Sequence, residues 1–222
     1  MKTVNVILDL DQSVISSELL DKSQADEGEK LYIIEDNLEK ARKFNFQNME
    51  GLYVIFERPH LQPFLTFLFA NFNVSVWTAA SQDYANFIVK NILIGDHTDR
   101  KLDFFFCNYH GKKSTSMFSG SKDLTMLWDC YKIPNYTKDN TIIFDDYDEV
   151  WTTQKDNCII AKEFSYFTND SEEETFLVKL QELLQIKILD NPDFKLPEVI
   201  KSINSTMSYY AWSVIDFGFM II

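Results

Sequence analysis

Residues 3–14 read TVNVILDLDQSV, and this stretch decides the fold that the sequence predicts. Most of residues 4–10 are apolar, and several of them are β-branched. Such a run is typical of a strand that is covered on both faces, as in the centre of a parallel sheet. Asp9 and Asp11 stand at its carboxyl end, which is the edge where open α/β sheets bind ligands.

The aspartate pair needs something that offsets its charge. Two carboxylates two residues apart repel each other unless a cation or a shared proton lies between them. Mg²⁺ would serve, because it prefers oxygen ligands and keeps several of its waters. Taken alone, such a pair is more often a solvated, aspartate-rich turn after a strand. The other strand ends therefore have to decide between the two interpretations.

Length and composition favour one large domain over two small ones and predict a substantial core. The chain has 222 residues, of which 45% are hydrophobic, and only 6 are Gly and 5 Pro. Its formal net charge is −13, which disfavours direct binding of nucleic acid or of an anionic membrane. We therefore expect neither as a partner. A small anionic substrate remains compatible with this charge, because a local cation can override the overall field.

Three further features bear on location. The cysteines are odd in number and lack metal-binding spacing, which is typical of reduced thiols in an intracellular protein. The first strand begins close to the N-terminus and leaves no room for a targeting peptide. The apolar run 209–222 contains Asp216 and is too short for a membrane span. We therefore expect a cytoplasmic or nuclear protein.

Strands and helices alternate along the rest of the chain. Helices are predicted to begin at Arg58, after Ser81, at Lys122 and, from a capping-box pattern, at Ser171. The predicted later strands are 73–79, 102–107, 141–144 and 157–161, with a Gly/Ser/Lys-rich loop at 110–121 and an insertion of small strands at about 16–57. This order predicts an α/β fold with a central, mainly parallel sheet flanked by helices.

The candidate chemistry lies at three of these strand ends and one helix start. Asp9 and Asp11 end the first strand, Thr78 ends the second, and Asp145 and Asp146 end a later one. Lys122 supplies a cation. A carboxylate nucleophile, a second carboxyl group as acid and base, a hydroxyl, an ammonium group and metal-binding acids are what phosphoryl transfer through an aspartyl-phosphate requires.

These residues, in this order, resemble the four motifs of the haloacid dehalogenase superfamily. More narrowly, the chain resembles the RNA polymerase II C-terminal-domain phosphatases and the related NLI-interacting-factor-like small phosphatases. The supporting stretches are LDLDQS (8–13), ERPHLQPFL (57–65), VWTAASQDYANFIV (76–89), SKDL (121–124), IIFDDYDEV (142–150) and DNCIIAKEF (156–164). The resemblance implies a Rossmann-like phosphatase domain over residues 1–188, and leaves 189–222 as a C-terminal packing segment.

The resemblance also implies roles for the catalytic residues. Asp9 would be the nucleophile and a ligand of Mg²⁺. Asp11 would protonate the leaving alcohol and then deprotonate the attacking water, with its backbone carbonyl on the metal. Thr78 would hydrogen-bond a phosphoryl oxygen, and Lys122 would neutralise developing charge. The implied substrate is a phosphoprotein, with the tail of RNA polymerase II as one candidate.

The remaining implied site residues concern the metal and the substrate. Asp146 would bind Mg²⁺, and Asp145 would orient Lys122 and the waters of the metal. Ser81 stands where relatives carry an aliphatic residue that lines a proline pocket, which predicts a weak preference for Ser-Pro substrates. Arg58 is a candidate contact to substrate phosphate, although an Arg before Pro at a helix start is more often a surface or salt-bridge residue. The Arg that relatives carry before the Lys motif has no equivalent in FFFCNYHG (104–111).

Two other classes of function stay open at this point. One is a phosphatase-like binding module, whose signature would be the loss of Asp9 or Asp11; both are present. The other is a phosphatase of the same superfamily that acts on a small metabolite or on a nucleic-acid end. The acidic composition argues against the nucleic-acid version, and only an assay separates the metabolite version.

Overall fold

The computed structural model describes residues 3–20, 38–118 and 120–216, with side chains described as far as residue 208. Within these ranges the strands, in chain order, are β1 (Asn5–Leu8), β2 (Ile15–Leu19), β3 (Phe46–Met49), β4 (Tyr53–Glu57), β5 (Asn73–Trp77), β6 (Leu102–Phe106), β7 (Thr141–Asp145) and β8 (Cys158–Ile160). The helices are α1 (Leu38–Ala41), α2 (Leu61–Asn71), α3 (Gln82–Ile88), α4 (Asn108–Met117), α5 (Asp148–Thr153), α6 (Phe176–Leu184) and α7 (Leu196–Asp216).

The predicted central sheet is present, and β1 lies at its middle. The strand order is β6-β5-β1-β7-β8, and every neighbouring pair is parallel. All four residues of β1 are buried, as expected for a strand with layers on both faces. Because the strands are parallel, the carboxyl ends of β1, β5 and β7 meet at one edge. The α/β prediction is confirmed.

An apolar layer covers each face of the central sheet. Successive side chains of a strand point to opposite faces and so into different layers. In β1, Val6 and Leu8 point into one cluster with residues of α2, α3, α6 and α7. Ile7 points into the other, with Trp77 and Leu127. Alternation of this kind is inherent in strand geometry, so the apolar run of β1 holds both layers in place.

The insertion after β1 forms a second, smaller sheet. Its order is β2-β4-β3 and both pairings are antiparallel. An aromatic cluster covers it, in which Phe56 stacks on Tyr166 with ring centroids 3.9 Å apart. Residues 21–37 of the predicted insertion lie outside the described residues.

Two predictions of local structure were wrong, and a third placed the start of a helix too early. The predicted loop 110–121 is largely helix α4. Its polar sequence has no apolar stripe, and a bond to the following turn helps to hold it, with Ser114 Oγ donating to Gly120 O at 2.6 Å. The helix expected from Lys122 is a turn followed by a short π-helical segment, Met126–Cys130. The helix expected at Ser171 begins at Phe176, after a 3₁₀ turn at Ser171–Glu173.

Helix α7 covers the edge of the central sheet. Asn204 accepts a hydrogen bond from Ile160 N and donates one to Cys158 O, at 3.0 and 2.9 Å, so it pairs with the backbone of β8. Ile200 and Ile203 are fully buried in the main core. This contact gives hydrogen-bond partners to backbone groups of an edge strand, which could otherwise pair with a strand of another chain. Within the described residues, no helix combines the length and apolarity that crossing a membrane requires.

Candidate active site

Asp9, Lys122 and Asp145 form a buried ion-pair triad at the carboxyl edge of the sheet. Asp9 follows β1 directly, and its amide donates to Phe144 O of β7 at 2.9 Å. Asp145 follows Phe144 and is the last residue of β7. Lys122 Nζ lies 2.6 Å from Asp9 Oδ1 and 2.6 Å from Asp145 Oδ2. All three side chains are at most 9% exposed, so the lysine holds the two strand ends together.

Asp146 completes a cluster of acids. Asp9, Asp145 and Asp146 each offer a carboxylate oxygen, and these three atoms lie within 4.8 Å of one another. Ser13 Oγ donates to Asp146 Oδ1 at 2.9 Å and orients that carboxylate. The carboxylate of Asp11 is not one of these three groups.

The electrostatics of the cluster suit a divalent cation. Burial, and then the charge of Asp9, raise the pKa of Asp146 to about 6 and also raise the pKa of Asp145. Burial acts to lower the pKa of Lys122, but Asp9 and Asp145 outweigh it and the pKa is raised. One ammonium group therefore faces several carboxylates. A hard cation with oxygen ligands, such as Mg²⁺, would offset the excess negative charge.

Asp11 stands beside this cluster with a partner of its own. Tyr84, on α3, donates from its hydroxyl to Asp11 Oδ1 at 2.6 Å. Burial raises the pKa of Asp11, the Tyr84 hydrogen bond opposes this, and the charge of Asp9 adds to it. A carboxyl group with a raised pKa holds its proton more readily, which suits a general acid. The sequence predicts a helix after Ser81, and nothing in that pattern indicates this hydrogen bond of Tyr84.

Thr78 and Lys122 line one pocket beside the acids. Its volume is about 450 Å³, and we call it the α4 pocket; it is lined by Thr78, Ala79, Asn108, Gly111, Lys112, Thr115, Ser116, Ser121 and Lys122. Thr78 follows β5, where its amide donates to Phe106 O at 3.0 Å. The structure thus brings the predicted hydroxyl and ammonium group to one concavity. Ser81 is exposed at the start of α3 and is not among these lining residues.

The loop that carries Lys122 is held by residues that the sequence did not indicate. Gln154, just after α5, donates from its side-chain amide to Lys122 O at 2.8 Å and accepts from Leu124 N at 3.1 Å. Glu149 accepts from Ser121 N at 3.1 Å. These bonds fix the backbone on both sides of Lys122. The contacts join residues about 30 positions apart, so no local pattern could have signalled them.

Arg58 does not lie where a substrate contact would require. Its side chain is 0% exposed and donates from Nε to Glu174 Oε1 at 2.5 Å. It also donates from Nη1 to Ser13 O at 2.7 Å, and its guanidinium lies over the ring of Phe176 at 4.3 Å. The predicted substrate role of Arg58 is therefore corrected to a structural one, because Glu174, Ser13 O and Phe176 engage its side chain inside the protein.

This placement predicts a large effect of Arg58 on stability. Replacing one partner of a buried ion pair leaves the other charge buried without a partner. This commonly lowers the free energy of unfolding by about 3–5 kcal/mol. Because Glu174 is 16% exposed and can regain some water, we expect Arg58→Met to lower the free energy of unfolding by about 2–4 kcal/mol. Urea denaturation measures it. Lys195→Met, at the pair with Glu198 in which both side chains are exposed, is the control and should change little. Equal effects of the two substitutions would contradict the structural role.

Comparisons with known proteins agree with this geometry. Residues 4–195 match the model of the family described as NLI interacting factor-like phosphatase. The chain belongs to this family. The CTD phosphatase-like proteins of Invertebrate iridescent viruses 6 and 3 are each 38% identical to it, over 81% of this chain and 96% and 94% of their own lengths. The resemblance inferred from the motifs is confirmed.

Two solved structures have folds similar to that of this chain. The chain is similar to Fcp1, an essential RNA polymerase II CTD phosphatase, with a TM-score of 0.52 at 20% identity. A fission yeast Fcp1 variant bound to beryllium fluoride matches with a TM-score of 0.51 at 19% identity. Each comparison covers 97% of this chain and 65% of the other, so the chain spans about two-thirds of the solved proteins. The haloacid dehalogenase fold prediction is confirmed.

Proposed function

We propose that this protein is a Mg²⁺-dependent phosphomonoester hydrolase that acts through an aspartyl-phosphate. Its substrates would be phosphoserine or phosphothreonine proteins. The observation that carries the proposal is the buried contact of Lys122 with both Asp9 and Asp145, at 2.6 Å each, beside a pocket that Thr78 also lines. A triad of this kind positions a carboxylate nucleophile and supplies positive charge where a phosphoryl group would sit.

In the first step, a carboxylate oxygen of Asp9 attacks phosphorus and the bond from phosphorus to the leaving oxygen breaks. Asp11 gives its proton to that oxygen, which departs as the alcohol. In the second step, water attacks the phosphorus of the aspartyl-phosphate, and Asp11 takes the proton from the water. Inorganic phosphate leaves and Asp9 is restored, so protons balance over the cycle.

Other residues would hold the phosphoryl group and the metal. Lys122 and Thr78 would bind phosphoryl oxygens, and Asp145 would keep Lys122 oriented. Asp9, Asp146 and the backbone carbonyl of Asp11 would hold Mg²⁺, which, when bound, offsets the negative charge of substrate and carboxylates. The cluster of three carboxylate oxygens within 4.8 Å supports this assignment.

The relatives support a protein substrate. The viral relatives are called CTD phosphatase-like, and the solved relative is called an RNA polymerase II CTD phosphatase. We therefore propose a phosphoprotein as the partner, with the polymerase tail as a candidate. Ser81 would make the preference for an adjacent proline weak, because it offers little apolar surface at that position.

The test is turnover and its dependence on metal. We expect hydrolysis of p-nitrophenyl phosphate to be lost in EDTA and restored by Mg²⁺, because the acidic cluster needs a cation to bind a phosphate dianion. Phosphopeptides, with and without a following proline, should have higher kcat/KM than phosphorylated metabolites. Full activity in EDTA would contradict the metal role. Absence of turnover on every phosphoester, in folded protein with Mg²⁺, would favour the binding-module alternative.

A further inference from the structure

Helix α4 contributes residues to the α4 pocket that have no role in the proposed catalytic cycle. Thr78 and Lys122 form the side next to the reacting phosphate. One face of helix α4 also lines the pocket with Asn108, Lys112 and Thr115, whose spacing of four and three residues places them in a row. At Gly111 a β-carbon would lie 3.3 Å from Ser121 O, so glycine allows α4 to approach the loop of Lys122 closely. The pocket is therefore contiguous with the reaction site.

The lining of this pocket contrasts with the acidic composition of the whole chain. The formal net charge is −13, yet its lining residues include two lysines and no acid. The charge of Lys122 is already engaged by Asp9 and Asp145. Lys112 is exposed, and among the described residues it has no ion-pair partner. The other lining side chains are small or carry hydroxyl or amide groups, which can bind anionic oxygens.

We propose that the α4 pocket is a second-anion subsite, in which Lys112 binds a negative group adjacent to the scissile phosphate. This inference rests on the proposed function and adds a substrate class to it: phosphoesters that carry a carboxylate or a second phosphate on a neighbouring residue. Multiply phosphorylated or acidic phosphopeptides have this chemistry. An isolated phosphoserine in a neutral sequence would leave the subsite empty.

The expected preference is modest, because Lys112 is exposed and its charge is partly screened by solvent and salt. An ion pair of this kind corresponds to about a three- to five-fold effect on kcat/KM at low salt. The preference should shrink as ionic strength rises. A contact made by a neutral hydrogen bond would not show that dependence.

The experiment compares one phosphoserine peptide with Gln, Glu or phosphoserine at the flanking position, before and after the scissile residue in turn. In the wild type, the Glu and phosphoserine peptides should exceed the Gln peptide in kcat/KM by about three- to five-fold on one side. Lys112→Gln should bring the ratio close to 1, and Lys112→Glu below 1. Each ratio compares kcat/KM for two peptides with the same protein, so differences between variants in the fraction of active enzyme cancel.

Lys113→Gln is the matched control, because Lys113 is on the same helix but does not line the pocket. Its ammonium group lies over the ring of Tyr131 at 4.6 Å and donates to the Tyr131 hydroxyl at 3.3 Å. The control should keep both the basal activity and the anion preference of the wild type. Loss of the preference in Lys113→Gln as well would overturn the assignment to Lys112.

Binding provides a readout that does not depend on turnover. Titration calorimetry with Asp9→Asn protein, with and without Lys112→Gln, should give the same ratios in Kd. Equal affinity for all three peptides would overturn the subsite, whatever the activity. A preference for the second phosphate alone would identify phosphate as the source of the anion, and a preference for both would identify any anionic oxygen group. Absence of turnover with a preserved binding preference would overturn the proposed function but retain the subsite.

Discussion

Asp9→Asn is expected to abolish turnover, with kcat lowered about 10⁴-fold or more, because the amide oxygen is not a nucleophile that can form the acyl phosphate. The fold should survive, since Lys122 keeps its 2.6 Å contact with Asp145. The charge of Asp9 also raises the pKa of Asp145 and Asp146. Its removal relieves this repulsion but also removes the charge that pairs with Lys122, so the two effects oppose each other and Tm in EDTA should stay close to that of the wild type.

The measurement combines steady-state rates, thermal unfolding and the binding of beryllium fluoride, which the solved fission yeast relative binds. With Mg²⁺ present, the wild type should bind beryllium fluoride and Asp9→Asn should not. Asp129, an exposed aspartate outside the site, provides a control substitution, Asp129→Asn, that should leave all three readouts unchanged. Asp9→Asn protein with near-normal kcat would refute Asp9 as the nucleophile.

Asp11→Asn should produce the second large effect, a fall of about 10²–10⁴-fold in kcat, which is the usual contribution of general acid–base catalysis. The effect should depend on the leaving group. An alkyl alcohol such as serine needs a proton to depart, whereas p-nitrophenolate does not. With p-nitrophenyl phosphate, the first step should continue and the second, which needs a base, should become slow.

A pre-steady-state experiment separates these two steps. Asp11→Asn should release a burst of p-nitrophenol that approaches one equivalent per enzyme, and a phosphoserine peptide should give none. Asn can still accept the hydrogen bond that Tyr84 donates to Asp11 Oδ1, so the substitution changes the proton and little else. Asp9→Asn, which has no nucleophile, should give no burst with either substrate. An equal loss of kcat on both substrates, without a burst, would contradict the acid–base role of Asp11.

Most of the catalytic set could be predicted because its information is local. The apolar runs before Asp9, Thr78 and Asp145 identified strands, and parallel strands bring their carboxyl ends to one edge. Lys122 followed from the order of the motifs. The structure places Lys122 against Asp9 and Asp145 and lines the α4 pocket with Thr78 and Lys122. Their catalytic roles remain predictions until the variants are measured.

The errors occurred where side-chain contacts that the hydrophobic pattern does not show decide the structure. Arg58 meets Glu174, 116 residues away, and nothing near either residue indicates that pair. Helix α4 lacks an apolar stripe and is held by bonds from Ser114 to the following loop. Without that helix, Lys112 would have been one lysine of a polar loop, and the second-anion subsite could not have been inferred.

The sequence by itself therefore determined the α/β class, the central position of β1 and the identity of the acids at its end. The reason is that the spacing of apolar residues over short stretches of the chain shows the period of a strand or a helix. Only the tertiary structure decided which side chains those acids meet. Lys122, Tyr84 and Ser13 each reach their aspartates from other elements or turns. Burial, charge and hydrogen bonding act between groups that are close in space, and that closeness exists only once the chain has folded.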